Sequence, residues 1–124
     1  MQSLKVVVAN PDSQIAAQLA ATLNQHFGKI ALASSLDELR HAIPKHRAEV
    51  AVLDLEKLAS IADLQRLASE FGHTSIVCTH RIPDEEMWAE ALSAGAIDCC
   101  DASDPASIVD AVRRNVQLAN AKAA

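Results

Sequence analysis

Polar residues that could do chemistry stand at the ends of four apolar runs in this chain. Asn10 follows LKVVVA, Asp54 ends EVAVLD and Thr79 ends TSIVCT, while the segment 101–104 follows AIDCC. A carboxylate can act as a nucleophile or bind a divalent cation, an amide oxygen is a weaker ligand, and a hydroxyl can hydrogen-bond a bound group. These residues could act together only if the fold places the ends of their runs side by side.

The segments around these residues alternate between strand-like runs and helical periodicity, which predicts five βα units. The runs show little polar alternation, which indicates strands buried on both faces and therefore a parallel sheet covered by helices on both sides. In such a sheet, binding and catalytic sites form at the carboxyl ends of the strands. The predicted strands are 4–9, 29–33, 49–54, 74–79 and 96–100.

Capping patterns predict where the helices begin and end. The predicted starts with a capping signal are Asn10 with Pro11, Ser35 with Glu38, and Asp104 with Pro105. The predicted stops are Gly28, Pro44, Gly72 and Gly95.

Composition limits the classes of protein to which the chain could belong. Its 124 residues carry a net charge of −5, and 50% of them are hydrophobic. We expect one domain over residues 1–124, ordered from about 4 to about 120. An acidic chain without a basic stretch is a poor partner for nucleic acids and for anionic membranes. The N-terminal run fits a first strand, and no run approaches a membrane span of about 18 residues, so we expect a cytoplasmic location.

The three cysteines, Cys78, Cys99 and Cys100, all lie in apolar runs. Their odd number and the lack of CxxC or Cys/His zinc spacing predict reduced, buried thiols. A redox pair between Cys78 and one of the other two is the alternative. No spacing typical of Ser/His/Asp, Cys/His or metal-dependent catalysis is present, so we expect neither an enzyme nor a bound cofactor.

The order of these features resembles the receiver domains of two-component response regulators, the CheY-like family. The features are the five βα units, Asp54 ending strand three, Thr79 ending strand four, and the turn 94–96, Ala-Gly-Ala, before strand five. The resemblance implies a doubly wound (βα)5 flavodoxin-like fold, a three-layer sandwich with a five-stranded parallel sheet in the order 2-1-3-4-5. It also implies that Asp54 is the phospho-acceptor position in a phosphorelay from a histidine kinase.

The chain departs from the family at several positions around Asp54. Where the family has an acidic pair after strand one, Asn10 and Pro11 stand here, and where it has a lysine after strand five, Ala102 stands here. Thr79 matches the family's phosphate-binding hydroxyl. The resemblance therefore implies a degenerate phosphorylation site made of Asn10, Pro11, Thr79 and Ala102 around Asp54.

A bound metal is not expected at this degenerate site. Asn10, Asp54 and Glu56 are weak candidates for ligands, and Mg²⁺ would accompany them only if Asp54 were phosphorylated. Asp12 could swing back to join them, but it is better explained as an acidic residue in the first turn of a helix. His80 is either a loop histidine or a substitute cation beside Asp54.

We interpret the chain as an atypical receiver, or pseudo-receiver, which acts in signal transduction as a protein-interaction module and is largely independent of phosphorylation. Its expected partners are other signalling proteins, a histidine kinase or a second copy of itself. The family's usual contact surface lies on helix four, strand five and helix five, and the residues predicted for it are Met87, Trp88, Glu90 and Arg113. Trp88 supplies a hot spot there unless it packs into the core instead.

Two other functions remain open at this point. The chain could be a working phosphorelay receiver that is phosphorylated on Asp54. It could also be a flavodoxin-like domain that binds a small ligand at the same strand ends, although no glycine-rich phosphate loop follows strand one.

Overall fold

Parallel strands alternate with helices in the computed structural model, which describes residues 2–10, 12–55, 60–80 and 85–123. The strands are β1 (Gln2–Ala9), β2 (Phe27–Ala33), β3 (Val50–Asp54), β4 (Ser75–His80) and β5 (Asp98–Asp101). The helices are α1 (Ser13–His26), α2 (Leu36–His46), α3 (Ile61–Glu70), α4 (Glu85–Ser93) and α5 (Pro105–Ala123).

The sheet has the order β2-β1-β3-β4-β5, and every neighbouring pair of strands is parallel. This confirms the predicted doubly wound (βα)5 fold. The strand order reverses between β1 and β3, so a crevice forms where their carboxyl ends lie next to each other. The residues following β1 and ending β3 therefore meet at the position where open parallel sheets hold their sites.

Two apolar clusters, one on each face of the sheet, make the three layers. One cluster contains Val7 and Ala51 under α2, α3 and α4, and the other contains Val6 and Val52 under α1 and α5. Alternate residues of a strand point to opposite faces, which explains how neighbours on β1 and β3 enter different clusters. No helix within the described ranges is long and apolar enough to cross a bilayer.

Several helix boundaries differ from those predicted. Asp12, two residues later than predicted, caps α1, and Asn10 does not. Gly28 lies inside β2, because the strand already begins at Phe27, whose side chain is completely buried. Pro44 does not end α2, which continues for two more residues to His46 and has Arg47 as its C-cap.

Two of the predicted helix starts are confirmed, whereas α3 has Phe71 and not the predicted Gly72 as its C-cap. The Ser35 hydroxyl accepts a hydrogen bond from the N–H of Glu38 at the start of α2, over 3.1 Å. The Glu38 carboxylate in turn accepts one from the N–H of Ser34, over 2.7 Å. Asp104 accepts from the Ser107 N–H and hydroxyl at the start of α5, at 3.3 Å and 2.7 Å. These local patterns were strong enough for the sequence to predict both helix starts.

Candidate functional site

The carboxyl ends of four neighbouring strands carry the polar residues that follow or end the apolar runs of the sequence. Asn10 follows β1, Asp54 ends β3, Thr79 lies near the end of β4, and Asp101 ends β5. In the strand register Asp54 is paired with Thr79. The fold therefore brings these residues to one edge of the sheet.

Asp54 and Thr79 form the centre of this edge. Asp54 is partly exposed, whereas Thr79 is 1% exposed and lies directly beside it on the neighbouring strand. A carboxylate that reaches solvent can act as a nucleophile, and a hydroxyl on the neighbouring strand can hydrogen-bond a group bound to it. These two residues match the phospho-acceptor and hydroxyl positions implied by the resemblance.

The side-chain oxygen atoms that follow β1 accept hydrogen bonds from backbone N–H groups at the start of α1. Asn10 is 4% exposed, and its side-chain Oδ1 accepts a hydrogen bond from the Asp12 N–H over 2.9 Å. Asp12 Oδ1 in turn accepts from the N–H groups of Gln14 and Ile15, at 3.0 and 3.2 Å. Asp12 therefore caps the helix, which satisfies N–H groups that have no partner within it. Pro11, predicted for the same corner, lies outside the described residues.

The last residue of β5 is a carboxylate, Asp101, which directly precedes Ala102 at the position of the family's lysine. Asp101 Oδ1 accepts hydrogen bonds from the Ser103 hydroxyl over 2.6 Å and from the Ser103 N–H over 2.8 Å. These two bonds lower the pKa of the Asp101 carboxyl. Ala102 donates its N–H to the His80 carbonyl over 2.9 Å, and its methyl group offers no charge to the site. Negative rather than positive charge therefore stands at this end of the sheet.

Metal-ligating side chains do not cluster in the described part of the chain. No group of three or more His, Cys, Asp and Glu side chains is placed to hold a metal ion there. Of the weak ligand candidates, Asn10 has its oxygen bonded to the backbone and Glu56 lies outside the described residues. Asp54, the third candidate, ends β3.

The cysteines are free and buried on both sides of the sheet. Cys99 lies in the cluster under α4 and Cys100 in the cluster under α5, as their alternation along β5 predicts. Burial raises the pKa of the Cys78 thiol to about 12, with smaller contributions from Cys99, Cys100 and the Asp54 charge. Burial likewise raises the pKa of Cys100 to about 12. Both thiols are therefore neutral and poorly nucleophilic at neutral pH.

A second group of polar contacts lies on the surface formed by α4, β5 and α5. Trp88 is 46% exposed, and its Nε1–H donates to Asp98 Oδ1 over 3.4 Å. Arg114 Nη2 contacts Asp98 Oδ2 over 3.3 Å, and the Cys99 N–H donates to Asp98 Oδ1 over 2.8 Å. We call Trp88, Asp98 and Arg114 the Trp88 cluster. Trp88 does not pack into the core, so the alternative of an inward-facing tryptophan is wrong.

The other residues predicted for this surface lie in different places. Glu90 lines a groove between α3 and α4, and Arg113 Nη2 lies 3.1 Å from His26 Nδ1 on α1. Met87 is half-buried on α4. Arg113 stays a prediction for the interaction surface, and the contact with β5 is made by its neighbour Arg114 through Asp98, which the sequence did not single out. The signal that could have found Asp98 is a lone acidic residue at the start of a buried strand.

Comparison by sequence and comparison by structure give different results for this chain. No protein-family sequence model matches it, and no characterised protein matches it significantly in sequence. Many solved structures match it. One is a CheY-like response regulator receiver domain protein from Methanospirillum hungatei JF-1, with a TM-score of 0.82, 13% identity, and coverage of 98% of this chain and 99% of that chain.

Two further solved structures are similar over nearly their full length. The signal receiver domain of a DNA-binding response regulator from Colwellia psychrerythraea 34H has a TM-score of 0.79 and 14% identity, covering 93% of this chain and 99% of that one. An atypical orphan response regulator has a TM-score of 0.79 and 12% identity, covering 92% and 96%. At such low identity the likeness shows the fold, which is that of response-regulator receiver domains.

Proposed function

We propose that this chain, which has the receiver fold, is an atypical receiver that binds other signalling proteins without needing phosphorylation of Asp54. The observation that carries the proposal is that the possible metal ligands after β1 are already hydrogen-bonded to the backbone. Asn10 and Asp12, the side chains there that could help hold a metal ion, both accept backbone N–H groups at the start of α1. A phosphoryl group transferred to a carboxylate needs cations to offset its charge.

The end of β5 supports the same proposal. Ala102 replaces the lysine of the resembling family, and Asp101 adds a carboxylate to the neighbouring strand end. Each missing charged contact is expected to remove about 1.5–3 kcal/mol of stabilisation from a bound phosphoryl group. Each such loss slows transfer about tenfold or more. Asp54 is then a strand-end carboxylate with little capacity to act as a switch.

One similar solved structure bears on how such a domain could work. The atypical orphan response regulator is described as revealing a new phosphorylation-independent regulatory mechanism. That description belongs to that protein, which shares 12% identity with this chain. It supports the proposal because regulation without phosphorylation has been described for a protein of this fold.

The Trp88 cluster is the proposed contact surface. A half-exposed tryptophan supplies a large apolar area, and aromatic residues flanked by an arginine are typical of interface hot spots. Asp98 holds both the indole N–H and the Arg114 guanidinium, so the two side chains are ordered before a partner arrives. Ordering in advance lowers the entropic cost of binding. The expected partners are other signalling proteins of the cytoplasm or a second copy of this chain.

A phosphorylation assay tests the first half of the proposal. The protein is incubated with acetyl phosphate and Mg²⁺ and its intact mass is measured. We expect no stoichiometric gain of about 80 Da, the mass of one phosphoryl group. The Asp54→Ala variant is the control for phosphorylation elsewhere. A stoichiometric adduct on the wild-type protein that disappears in Asp54→Ala would overturn phosphorylation independence.

A working phosphorelay receiver is the second candidate function, and one observation favours it. Asp54 and the buried Thr79 are paired in the strand register, which preserves the acceptor and its hydroxyl neighbour. In that case a histidine kinase is the expected partner, and a weakly held Mg²⁺ would accompany the transfer. The same mass measurement decides between the two candidates.

A charge-swap experiment tests the proposed surface. Exchanging Asp98→Arg and Arg114→Asp keeps the opposite charges of the pair but reverses those that a partner meets, and it removes the acceptor for the Trp88 and Cys99 N–H groups. The matched control exchanges Asp63→Arg and Arg66→Asp, a pair of the same residue types 3.1 Å apart on α3. We expect the first exchange to weaken self-association or partner binding in sedimentation velocity, and the control exchange to leave it unchanged. Equal effects of both exchanges would contradict the assignment of the surface.

A further inference from the structure

We propose a second site, separate from the proposed function, which binds a compact anion carrying two or more phosphate groups at the amino ends of β1 and β2. A cleft of about 610 Å³ opens there, at the edge of the sheet opposite to Asp54. Four of the chain's eleven lysines and arginines line it: Lys5, Lys29, Lys45 and Arg47. His46 completes the basic lining, and none of the described residues that line the cleft is acidic.

Two of these lysines stand side by side, and the acidic Glu49, which donates its N–H to the Lys5 carbonyl, is the neighbour of Lys5 on its other side. Lys5 on β1 and Lys29 on β2 are partners in the parallel strand register, so their side chains leave the sheet on the same face. Like charges on adjacent strands repel and destabilise a sheet. Within the described ranges, neither lysine forms an ion pair with another residue. An anion in the cleft would reduce the repulsion between the two lysines.

Arg47 provides an independent sign of function at the same place. It is the C-cap of α2, with φ 52° and ψ 51°, and it is the one non-glycine residue with positive φ in the described part of the chain. This left-handed conformation at a helix end favours glycine, since a Cβ is strained there. Strained residues are concentrated at functional sites. Here the strained residue is Arg47, whose side chain lines the cleft.

The remaining members of the lining come from the last turn of α2. Lys45 and His46 precede Arg47, so three basic residues in sequence face the lysine pair of the two strands. The acidic residues of α2, Asp37 and Glu38, lie in its first turn. Glu38 is engaged there by the Ser34 N–H. The two ends of this helix therefore have opposite charge, and the positive end forms the cleft.

A compact phosphate compound fits these observations better than a long polyanion does. The volume of the cleft falls within the range of small-ligand sites, roughly 300–1,000 Å³. The whole chain carries a net charge of −5, so a nucleic acid or an anionic bilayer would be repelled by most of the surface. Lysine and arginine both bind phosphate oxygens, and arginine can hold two at once. Inorganic pyrophosphate and a nucleoside triphosphate share this chemistry.

The test uses the whole chain, with pyrophosphate and ATP as separate probes, titrated calorimetrically at constant ionic strength. We expect saturable binding that weakens about tenfold in Arg47→Gly and about tenfold in Lys29→Gln. Arg66→Gln, which removes one positive charge on α3, is the matched control and should bind as the wild type does. Equal affinities for the two probes would identify the phosphate chain as the recognised group, and tighter ATP binding would add recognition of the nucleoside.

The thermal stability of the same two variants tests the backbone strain at Arg47 and the repulsion between Lys5 and Lys29. Without ligand, Arg47→Gly and Lys29→Gln should have thermal midpoints equal to or above that of the wild type, so weaker binding could not be due to unfolding. No saturable binding of either probe, or an equal loss in Arg66→Gln, would overturn the proposal. Tighter saturable binding of single-stranded DNA or anionic vesicles through Lys29 and Arg47 would overturn the assignment to a compact ligand.

Discussion

Gly95 follows α4 with a φ of +114°, a backbone conformation that residues with a side chain rarely adopt. A Cβ at this position would lie 2.6 Å from the Cβ of Ala68 on α3. Gly95→Ala therefore has no unstrained arrangement, and we expect it to lower the free energy of unfolding by about 1–3 kcal/mol. Urea unfolding followed by circular dichroism measures the change.

Gly72 offers a matched control for that substitution. A Cβ there would meet nothing within 4 Å. Gly72→Ala should therefore change the free energy of unfolding by about 0.5 kcal/mol or less. Similar losses in both variants would mean that the contact with Ala68 does not determine the cost at Gly95.

The raised pKa of the Cys78 thiol leads us to expect that the free energy of unfolding depends on pH. Burial raises its pKa from 9.0 to about 12. Above pH 9 the unfolded chain loses this proton while the folded chain keeps it, so stability is complete below that pH and falls as pH rises towards 12. Under reducing conditions, the urea midpoint should fall with pH more steeply in the wild type than in Cys78→Ala. Parallel pH profiles would contradict the raised pKa.

The sequence was sufficient to predict the positions of Asp54 and Thr79, but it was not sufficient to predict the role of Asp98. Asp54 and Thr79 could be placed side by side because each ends an apolar run, and parallel strands align their ends. Asp98 could not be identified, because its role depends on Trp88 and Arg114, which lie on two different helices. Contacts between separate elements depend on side-chain directions, which the spacing of residues along the chain does not determine.

At the scale of helices, the side chain of Asp12, between β1 and α1, forms the N-terminal cap of α1. Asp12 caps α1 through the N–H groups of Gln14 and Ile15. We expect Asp12→Ala to lower the free energy of unfolding by about 1 kcal/mol, because those N–H groups lose their acceptor. Ser60 holds the same position in α3 without a side-chain capping bond, so Ser60→Ala should cost much less. Thermal unfolding of both variants measures the difference.

The same variants bear on the metal question. If Asp12 acts as a cap and not as a metal ligand, added Mg²⁺ should leave the thermal midpoints of the wild type and of Asp12→Ala unchanged. A ligand that binds only the folded state would raise the midpoint. A rise in the wild type that is lost in Asp12→Ala would show that the carboxylate leaves the helix to hold the ion.

The elements themselves could be predicted better than their ends. Apolar runs and helical periodicity gave five strands and five helices in the right order. The errors include those at Asn10, Gly28 and Pro44, where a residue typical of a boundary lies near the boundary but does not form it. Packing overrides such local preferences: β2 begins early because Phe27 is completely buried in the core.

For the whole molecule, the distribution of charge differs from what the net charge indicates. A value of −5 argued against anionic partners, yet four cations from three separate segments meet at one cleft. Along the sequence these four cations are not consecutive, so no basic stretch indicates them. Folding brings β1, β2 and the end of α2 together, and the basic cleft exists only in the folded chain.

Trp88 allows the proposed surface of the whole molecule to be tested without labels. It is the one tryptophan in the sequence, and it is 46% exposed with its N–H bonded to Asp98. If a second copy or a partner covers the Trp88 cluster, the indole loses contact with water. Its emission should then shift to shorter wavelength, and acrylamide should quench it less, as complexes form.

The matched variant for this measurement is Asp98→Asn, which removes the charge that orders both Trp88 and Arg114. We expect this variant to keep an exposed indole at concentrations where the wild type has assembled, because a less ordered surface binds more weakly. Sedimentation velocity on the same samples reports assembly independently. If the wild type assembles while its emission and quenching stay constant, the contact lies elsewhere on the molecule, and α4, β5 and α5 do not form the interaction surface.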